Sequence, residues 1–537
     1  MEGTASRAVK SRQSTTRLLQ VFAWLDEPPA SRLGALAGFA AFVLPLVAYL
    51  LTCMREPGHF CDYIKLAMVG KVWGIAHPPG FPLYLILDGL VSMIPIGTLT
   101  FRVALIGAFS VAVVSHLIYR IARLMNFGHI LAFGTALLVA SSYPVWMQGI
   151  ITDCYGLGML LIFATLWTLF KWGLTKDDRW INAAIWTSML GLANHPCGLV
   201  VLPGFLAFVL VQNPRVLVKK STLLNLLGAV AVVLGFYGYI YWRSFAQPIY
   251  NEYMLDGSFR KFIDFVTAKE FRASVGPKPD HISRMWSAFV GMGIDTLSKP
   301  GWYAAWIGIW ASIERNRAFS LPLFLAPVGV FAYVYYYHTA EIESRLSPIY
   351  PFAVLLAVTL CIWFIEKIAG WLKPKHGAYD AKRSAARTVG FALIAVLLAV
   401  GIVRNTTANL RDLDWSGPNP DHAVAVRIVA AVEQPCLIVA DQDEDLALQL
   451  IFCIITDPNS AVDRFPYLST RNRVFTPVSI AGSWDRELAL EALSKGLHVY
   501  VAGPNSRPLD DRELDASPVS TGVETDVLFE VTPKRLD

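Results

Sequence analysis

Between Leu36 and Met54 the chain reads LAGFAAFVLPLVAYLLTCM, a run with no charged residue. At about 1.5 Å of rise per residue a helix of this length crosses the roughly 30 Å hydrocarbon core of a bilayer. Comparable runs end near Ile121, Met147, Trp172, Leu192, Val211, Trp242, Trp310, Tyr337, Phe364 and Val403, giving about eleven spans. The expected fold is therefore an α-helical polytopic membrane protein. Two intervals are shorter or more polar, residues 80–95 and the stretch from Trp302 to Trp310. Composition agrees: 16% of the 537 residues are charged, against roughly 25% in a soluble globular chain.

The formal charge of +5 reports orientation, because its basic clusters alternate with the spans. They are Arg7 to Arg17, Arg120 with Arg123, Lys171 to Arg179, Arg215 to Lys220, Arg315 with Arg317, and Lys367 to Arg387. With all of these cytoplasmic the positive-inside rule holds throughout, and nucleic acid is not an expected partner. The N-terminus then lies inside, and residues 55–101, the turns at Asp153 and His195, residues 244–298 and the turn from His338 to Arg345 lie outside. This requires that residues 80–95 do not cross; Asp88 and the two prolines of PPGFP favour a helix at the outer interface.

The expected organisation is a cytoplasmic segment over 1–33, a transmembrane domain over 34–404 and an outer domain over 405–537. The first twenty residues have no apolar core and cleavage site, so the first span is expected to act as the anchor signal. Of seven cysteines, Cys61, Cys154 and Cys197 fall in outer turns, where buried thiols are expected more often than a disulfide. The tail alternates strands with helices: DHAVAVRIVAAVE, DLALQLIFCIIT and DRELALEALSKG have helical patterns, and CLIVAD and HVYVAG read as strands. This is a small α/β accessory domain. QDED after CLIVAD has no glycine-rich phosphate loop beside it, so a solvated, helix-capping turn is the expected role.

Chemistry is to be sought in the outer loops. The first, REPGHFCDYIKLAMVGKVWGIAHPPGFPLYL, carries Glu56, His59, Asp62, Lys65, Lys71 and His77. An aspartate at the interface can accept a hydroxyl proton while a nearby cation neutralises a phosphate. The residue types alone also fit a plain solvated loop.

The order of motifs resembles one branch of the GT-C membrane glycosyltransferases, the protein O-mannosyltransferase-like family with an HPPG signature. The matching residues are Asp62, then His77-Pro78-Pro79-Gly80-Phe81-Pro82-Leu83-Tyr84, then Arg102. They continue with Trp146, Gln148, Asp153 and Tyr155 of WMQGIITDCY, Asn194 and His195 of GLANH, then Arg243, Pro248 and Asn251, and the stretch VTAKEF. Two positions depart from the family: Ile64 and Lys65 stand where it has Gly-Glu, and Asp153 stands where it more often has Glu.

The resemblance implies a GT-C fold and an inverting transfer of a hexose, mannose in the family, from a polyprenyl or dolichyl phosphate to a protein Ser/Thr or glycan hydroxyl. It implies Asp62 as general base. Arg243, His77 and Arg345 are expected around the donor phosphate, a guanidinium matching phosphate oxygens bidentately. Asp153, Tyr155, Asn194 and His195 are further candidates for the site. Without the family, Arg243 reads equally as a snorkelling interfacial arginine, His195 as a helix cap and Asp153 as a helix N-terminal acid. No cofactor is expected, and the first loop has no DxD pair, so no metal is expected. A bacterial inner membrane with a periplasmic site is the expected location, or the endoplasmic reticulum in a eukaryote. The rivals are a lipid-linked sugar flippase and an inactive GT-C scaffold.

Overall fold

The computed structural model describes residues 32–58, 60–338, 341–371, 379–440, 444–457, 466–468, 476–502, 514–519 and 528–534, with no side chains described for 32–33, 379–385, 444 and 467–468. His59, the cluster Arg7 to Arg17 and residues 441–443 of the acidic turn lie outside the described residues. Helix α1 spans Arg32–Thr52. The first loop then forms two short helices, α2 (Cys61–Met68) and α3 (Pro82–Ser92). The bundle continues through α4 (Leu99–Leu124), α5 (His129–Ala140), α6 (Tyr143–Gln148), α7 (Tyr155–Thr175), α8 (Asp178–Asn194), α9 (Leu202–Gln212) and α10 (Lys220–Phe245). After a loop containing α11 (Phe259–Val266) come α12 (Pro279–Arg315), α13 (Arg317–Tyr336), α14 (Ile342–Leu346), α15 (Ile349–Trp371) and α16 (Tyr379–Asp412).

All eleven apolar runs fall on helices. Among the described residues seven helices are long and apolar enough to cross a membrane: α1, α4, α7, α10, α13, α15 and the part of α16 from Ala386. The chain is an integral membrane protein. Helix α12 breaks at Ser298 (φ 63°, ψ 166°), two residues before Pro300, whose ring removes a backbone donor and restricts the residue before it. The expected outer segment 244–298 ends at this break.

Among the described residues the basic clusters share one pole. Arg315, at the end of α12, pairs with Glu366 of α15 at 2.6 Å and also bonds the Met125 carbonyl just after α4, while Lys219 meets Asp178 at 2.7 Å. The loops holding Asp62, Asp153, His195 and Arg345 gather at the other.

Helix α3, at about 1.5 Å per residue, is too short to cross. It starts at Pro82, whose missing N–H costs nothing in a first turn. Asp88 is fully buried, faces neither water nor lipid, and ties α3 to the loop by accepting from Gly70 N (2.9 Å) and Ser92 Oγ (3.1 Å). Burial pushes its carboxyl up to about 8 against those two bonds. Just upstream, Gly80 has φ +99°, and a Cβ there would stand 2.7 Å from Phe265 and 2.8 Å from Ile240. The glycine of the HPPG string is therefore where α10 and α11 close over the loop. Gly80→Ala is expected to add about 1–3 kcal/mol of strain, read as a lower melting temperature of the solubilised protein.

The last long helix corrects one expected boundary. Residues 405–412 were expected to open the tail, but α16 continues to Asp412. Its polar residues are absorbed by bonds to neighbouring carbonyls: Asn405 Nδ2 donates to Thr296 O (3.2 Å) and Asn409 Nδ2 to Ser141 O (2.7 Å).

The tail is an α/β unit: α17 (Pro420–Ala431), β1 (Cys436–Ala440), α18 (Glu444–Thr456), β2 (Tyr467–Leu468), β3 (Val478–Ala481), α19 (Arg486–Ser494), β4 (His498–Ala502), β5 (Leu514–Pro518) and β6 (Leu528–Pro533). The sheet order is β2-β3-β1-β4-β6-β5; the first four strands are parallel and the last two antiparallel. The cap of α17 is Asn419, which accepts from Asp421 N and His422 N, with Asp421 in the first turn.

The tail packs on the loop that carries Asp62. One apolar cluster runs from Ile64, Leu66 and Met68 into Leu450, Ile451 and Ile454, so α18 backs α2. Gln449 Nε2 donates to Pro57 O at 2.8 Å, and Glu56 accepts from Asn419 N at 2.8 Å.

Candidate active site

Helix α2 turns its apolar side to α18 and its polar side to a cavity of about 560 Å³. Asp62 lies in its first turn. Asp62, His77, Asp153, Tyr155, His195 and Arg345 all line this cavity. They come from five places in the sequence, and the helix ends at one pole of the bundle bring them together.

Asp62 faces two basic side chains: Lys65 Nζ at 3.5 Å, one helical turn on, and His77 Nδ1 at 3.8 Å. Burial pushes its carboxyl up, but His77, Lys65 and Arg345 more than offset this, leaving it below the usual carboxylate value. It is ionised at neutral pH. The same buried ammonium reaches Glu252 at 3.1 Å, and the two acids hold Lys65 above its ordinary value. His77 packs edge-on against Phe81, which stacks in turn on His195 with centroids 5.3 Å apart.

Arg345, on α14, donates through Nε to Tyr155 Oη at 2.8 Å and through Nη2 to Glu341 at 3.4 Å, and its guanidinium lies 4.8 Å from the Tyr337 ring centre. Its Nη1 is buried with no hydrogen-bond partner. Buried guanidinium donors are nearly always satisfied by protein, water or a bound group, so this N–H is open to an oxygen from outside the protein. Burial and the Asp62 charge raise Glu341 to about 7, against the pull of Arg345.

Burial, Glu341 and Asp62 drive Asp153 well above the carboxylate range, so it is neutral. Its Oδ1 accepts from Cys154 N at 2.6 Å, the adjacent residue, and α7 has no side-chain cap, so Asp153 does not take the helix-capping role open to it from sequence. His195 Nδ1 accepts from Cys197 N at 2.9 Å, capping the 3-10 turn Pro196–Val201. Burial with Arg345 and His77 pushes its imidazole down to about 3. The ring is neutral, with its proton on Nε2.

Two candidates stand elsewhere. Arg243 is not among the residues lining this cavity; its Nε donates to Trp73 O at 2.9 Å and its guanidinium lies 5.9 Å from the Trp242 ring. Asn194 lines a smaller neighbouring cavity and donates to Cys154 O at 3.0 Å, joining α8 to α7. Glu56 holds the tail, and Lys71 is exposed and does not line the cavity. All seven cysteines are thiols. Among the described residues no group of three or more His, Cys, Asp or Glu stands close enough to hold a metal.

Sequence reasoning missed Glu252 and Glu341. Glu341 is four residues before Arg345, the spacing at which helical side chains meet, so that string held a usable signal. Glu252 pairs with a residue far away in the chain, and nothing local marks it.

Residues 64–218 match the family model described as the Protein O-mannosyl-transferase TMEM260 N-terminal domain. The chain is 32% identical over 170 residues to Protein O-mannosyl-transferase TMEM260 of Mus musculus and 27% over 161 residues to that of Dictyostelium discoideum. These matches cover 30% and 26% of this chain but only 24% and 19% of the relatives. Among solved structures, ArnT from Cupriavidus metallidurans bound to undecaprenyl phosphate is similar with a TM-score of 0.57 at 12% identity, covering 92% of this chain and 97% of that one. The archaeal oligosaccharyltransferase AglB from Archaeoglobus fulgidus, in complex with an inhibitory peptide and a dolichol-phosphate, gives 0.51 at 12% identity, covering 88% and 70%. At such identity these two speak for the fold. The chain thus shares its fold with these two structures, and its residues 64–218 are similar to the N-terminal domain of the Protein O-mannosyl-transferase TMEM260 relatives, of whose length it matches less than a quarter.

Proposed function

We propose that this protein transfers a sugar, a hexose such as mannose, from a polyprenyl phosphate to an acceptor hydroxyl, with a protein Ser or Thr as the leading acceptor. The observation that carries this reading is one cavity holding an ionised Asp62 and an Arg345 whose Nη1 has no partner. The relatives named as O-mannosyl-transferases, and the lipid phosphates in the ArnT and AglB structures, support it.

In the reaction the acceptor O–H gives its proton to Asp62 as its oxygen bonds the anomeric carbon. The bond from that carbon to the phosphate oxygen breaks, and the polyprenyl phosphate leaves with the electron pair. A single displacement inverts the anomeric centre. Arg345 meets the charge growing on the phosphate, with His77 as a second partner. His195 and the neutral Asp153 are hydrogen-bond donors on the cavity wall, suited to sugar hydroxyls. Of the two arginines expected at the phosphate, Arg345 takes precedence because Arg243 bonds a backbone carbonyl outside the cavity lining.

The basic pole is cytoplasmic and the cavity and tail are on the outer face, periplasmic in a bacterium, by the positive-inside rule. Purified protein given polyprenyl-phosphate mannose and a Ser/Thr peptide is expected to glycosylate the peptide with inversion, at an unchanged rate in EDTA. No transfer to a peptide, glycan or lipid hydroxyl from any polyprenyl-phosphate hexose would leave an inactive scaffold or a flippase. A rate abolished by EDTA and restored by a divalent cation would make the site metal-dependent.

A further inference from the structure

We infer that Lys65, seated by Glu252, is a positioning residue for Asp62: the pair keeps the Asp62 carboxylate ionised and fixed at the cavity wall. The inference rests on the reading of Asp62 as the base. Lys65 stands where the resembled family has a carboxylate, so a charge of opposite sign sits one helical turn from the candidate base.

The seat for this lysine is built from the backbone. Ile75 N donates to Tyr250 O at 2.7 Å and Glu252 N to Ile75 O at 3.3 Å, so residues 250–252 run parallel to the strand-like segment before His77. That pairing sets the Glu252 carboxylate 3.1 Å from Lys65 Nζ and 3.9 Å from His77 Nδ1. Tyr250 Oη donates to the same carboxylate at 3.2 Å. Lys65 thus lies between two acids, one of them fixed by its backbone and by Tyr250, and its ammonium holds Asp62 from a constant direction.

A plain structural tie would need only the Lys65–Glu252 pair. The second contact, to Asp62 at 3.5 Å, adds a consequence for proton affinity. Besides Lys65, the ionisable groups around Asp62 are Cys61 on its own helix, His77, Tyr250 and Glu252, Asp153 before α7, and Glu341 with Arg345 at α14. Without Lys65 the acids in this set weigh more, and an ion-pair partner at this range is worth about one to three pH units to a carboxyl.

The test is the pH dependence of kcat/KM for sugar transfer in the full-length protein. Lys65→Met leaves Glu252 buried without its cation, which by itself destabilises; the double variant Lys65→Met/Glu252→Gln removes that charge as well and is the one to measure. Its acid limb is expected to move up, by less than the roughly one to three units that loss of Lys65 alone would give because the Glu252 charge goes with it, with activity largely recovered above the new limb, while Lys65→Arg keeps the limb of the unsubstituted protein. A limb that stays in place in the double variant while the rate falls evenly at all pH values makes Lys65 a structural tie only. With Asp62→Asn inactive, that result overturns the Lys65 inference alone; an Asp62→Asn enzyme with an unchanged rate overturns this inference and the assignment of the base together.

Discussion

Arg345→Met is expected to weaken binding of a polyprenyl-phosphate donor about a hundredfold or more while the protein still folds. The basis is the cost of truncating one partner of a buried, hydrogen-bonded charge pair, about 2–5 kcal/mol. Nη1 has no protein partner to lose, and Tyr155 and Glu341 can pair with each other at 3.4 Å once the guanidinium is gone. Glu341, already raised to about 7, takes a proton more readily without the cation beside it. Lysine offers a point charge without the planar fork, so Arg345→Lys is expected to recover only part of the affinity. Arg243→Met is expected to change affinity little, because that side chain holds Trp73 O away from the cavity lining. Titration of a non-hydrolysable phosphodiester analogue into each solubilised variant decides between them. Loss in Arg243→Met with none in Arg345→Met would move the phosphate to the other arginine.

The same pair gives binding a pH dependence. Glu341 is largely protonated below about 7, which leaves the Arg345 charge unopposed, so an anionic phosphodiester should bind more tightly as pH falls from 8 to 6. The ligand's own charge is constant in that range. Glu341→Gln should bind tightly throughout and lose the dependence.

Much of this was legible in the sequence, for physical reasons that differ by element. Apolar runs of bilayer length can hardly be anything but helices in lipid, and each falls on helix, the run ending near Met147 on two short ones. The break of α12 at Ser298 was visible because Pro300 and the onset of apolar residues coincide there. The extension of α16 to Asp412 was hidden, since asparagines in a helix look like a linker until Thr296 O and Ser141 O are brought beside them. The docking of the tail on α2 was hidden too: the apolar face of DLALQLIFCIIT announces that it covers something, without saying what. In the site, the motif string marked Asp62 and His77, and Asp153, Tyr155, His195 and Arg345 line the same cavity. Asn194 and Arg243 stand apart from it, Asn194 Nδ2 and Arg243 Nε each donating to a backbone carbonyl of a neighbouring element, a use their residue types do not reveal. The partnership of Lys65 with Glu252 depends on two loops meeting across the bundle.

The central claim is that Asp62 takes the acceptor proton. Its depressed proton affinity leaves it ionised at neutral pH, whereas Asp153, another carboxyl lining the cavity, is held neutral by burial and by the charges of Glu341 and Asp62. Asparagine at 62 keeps the shape and can still accept a hydrogen bond from Lys65, but it cannot take a proton; loss of general-base assistance alone is worth about 10²–10⁴-fold in rate. The decisive measurement is single-turnover sugar transfer by Asp62→Asn at saturating polyprenyl-phosphate sugar, with donor affinity measured on the same preparation. The account predicts a rate at least about a hundredfold lower with donor affinity close to that of the unsubstituted protein; a near-normal rate at normal affinity would contradict it.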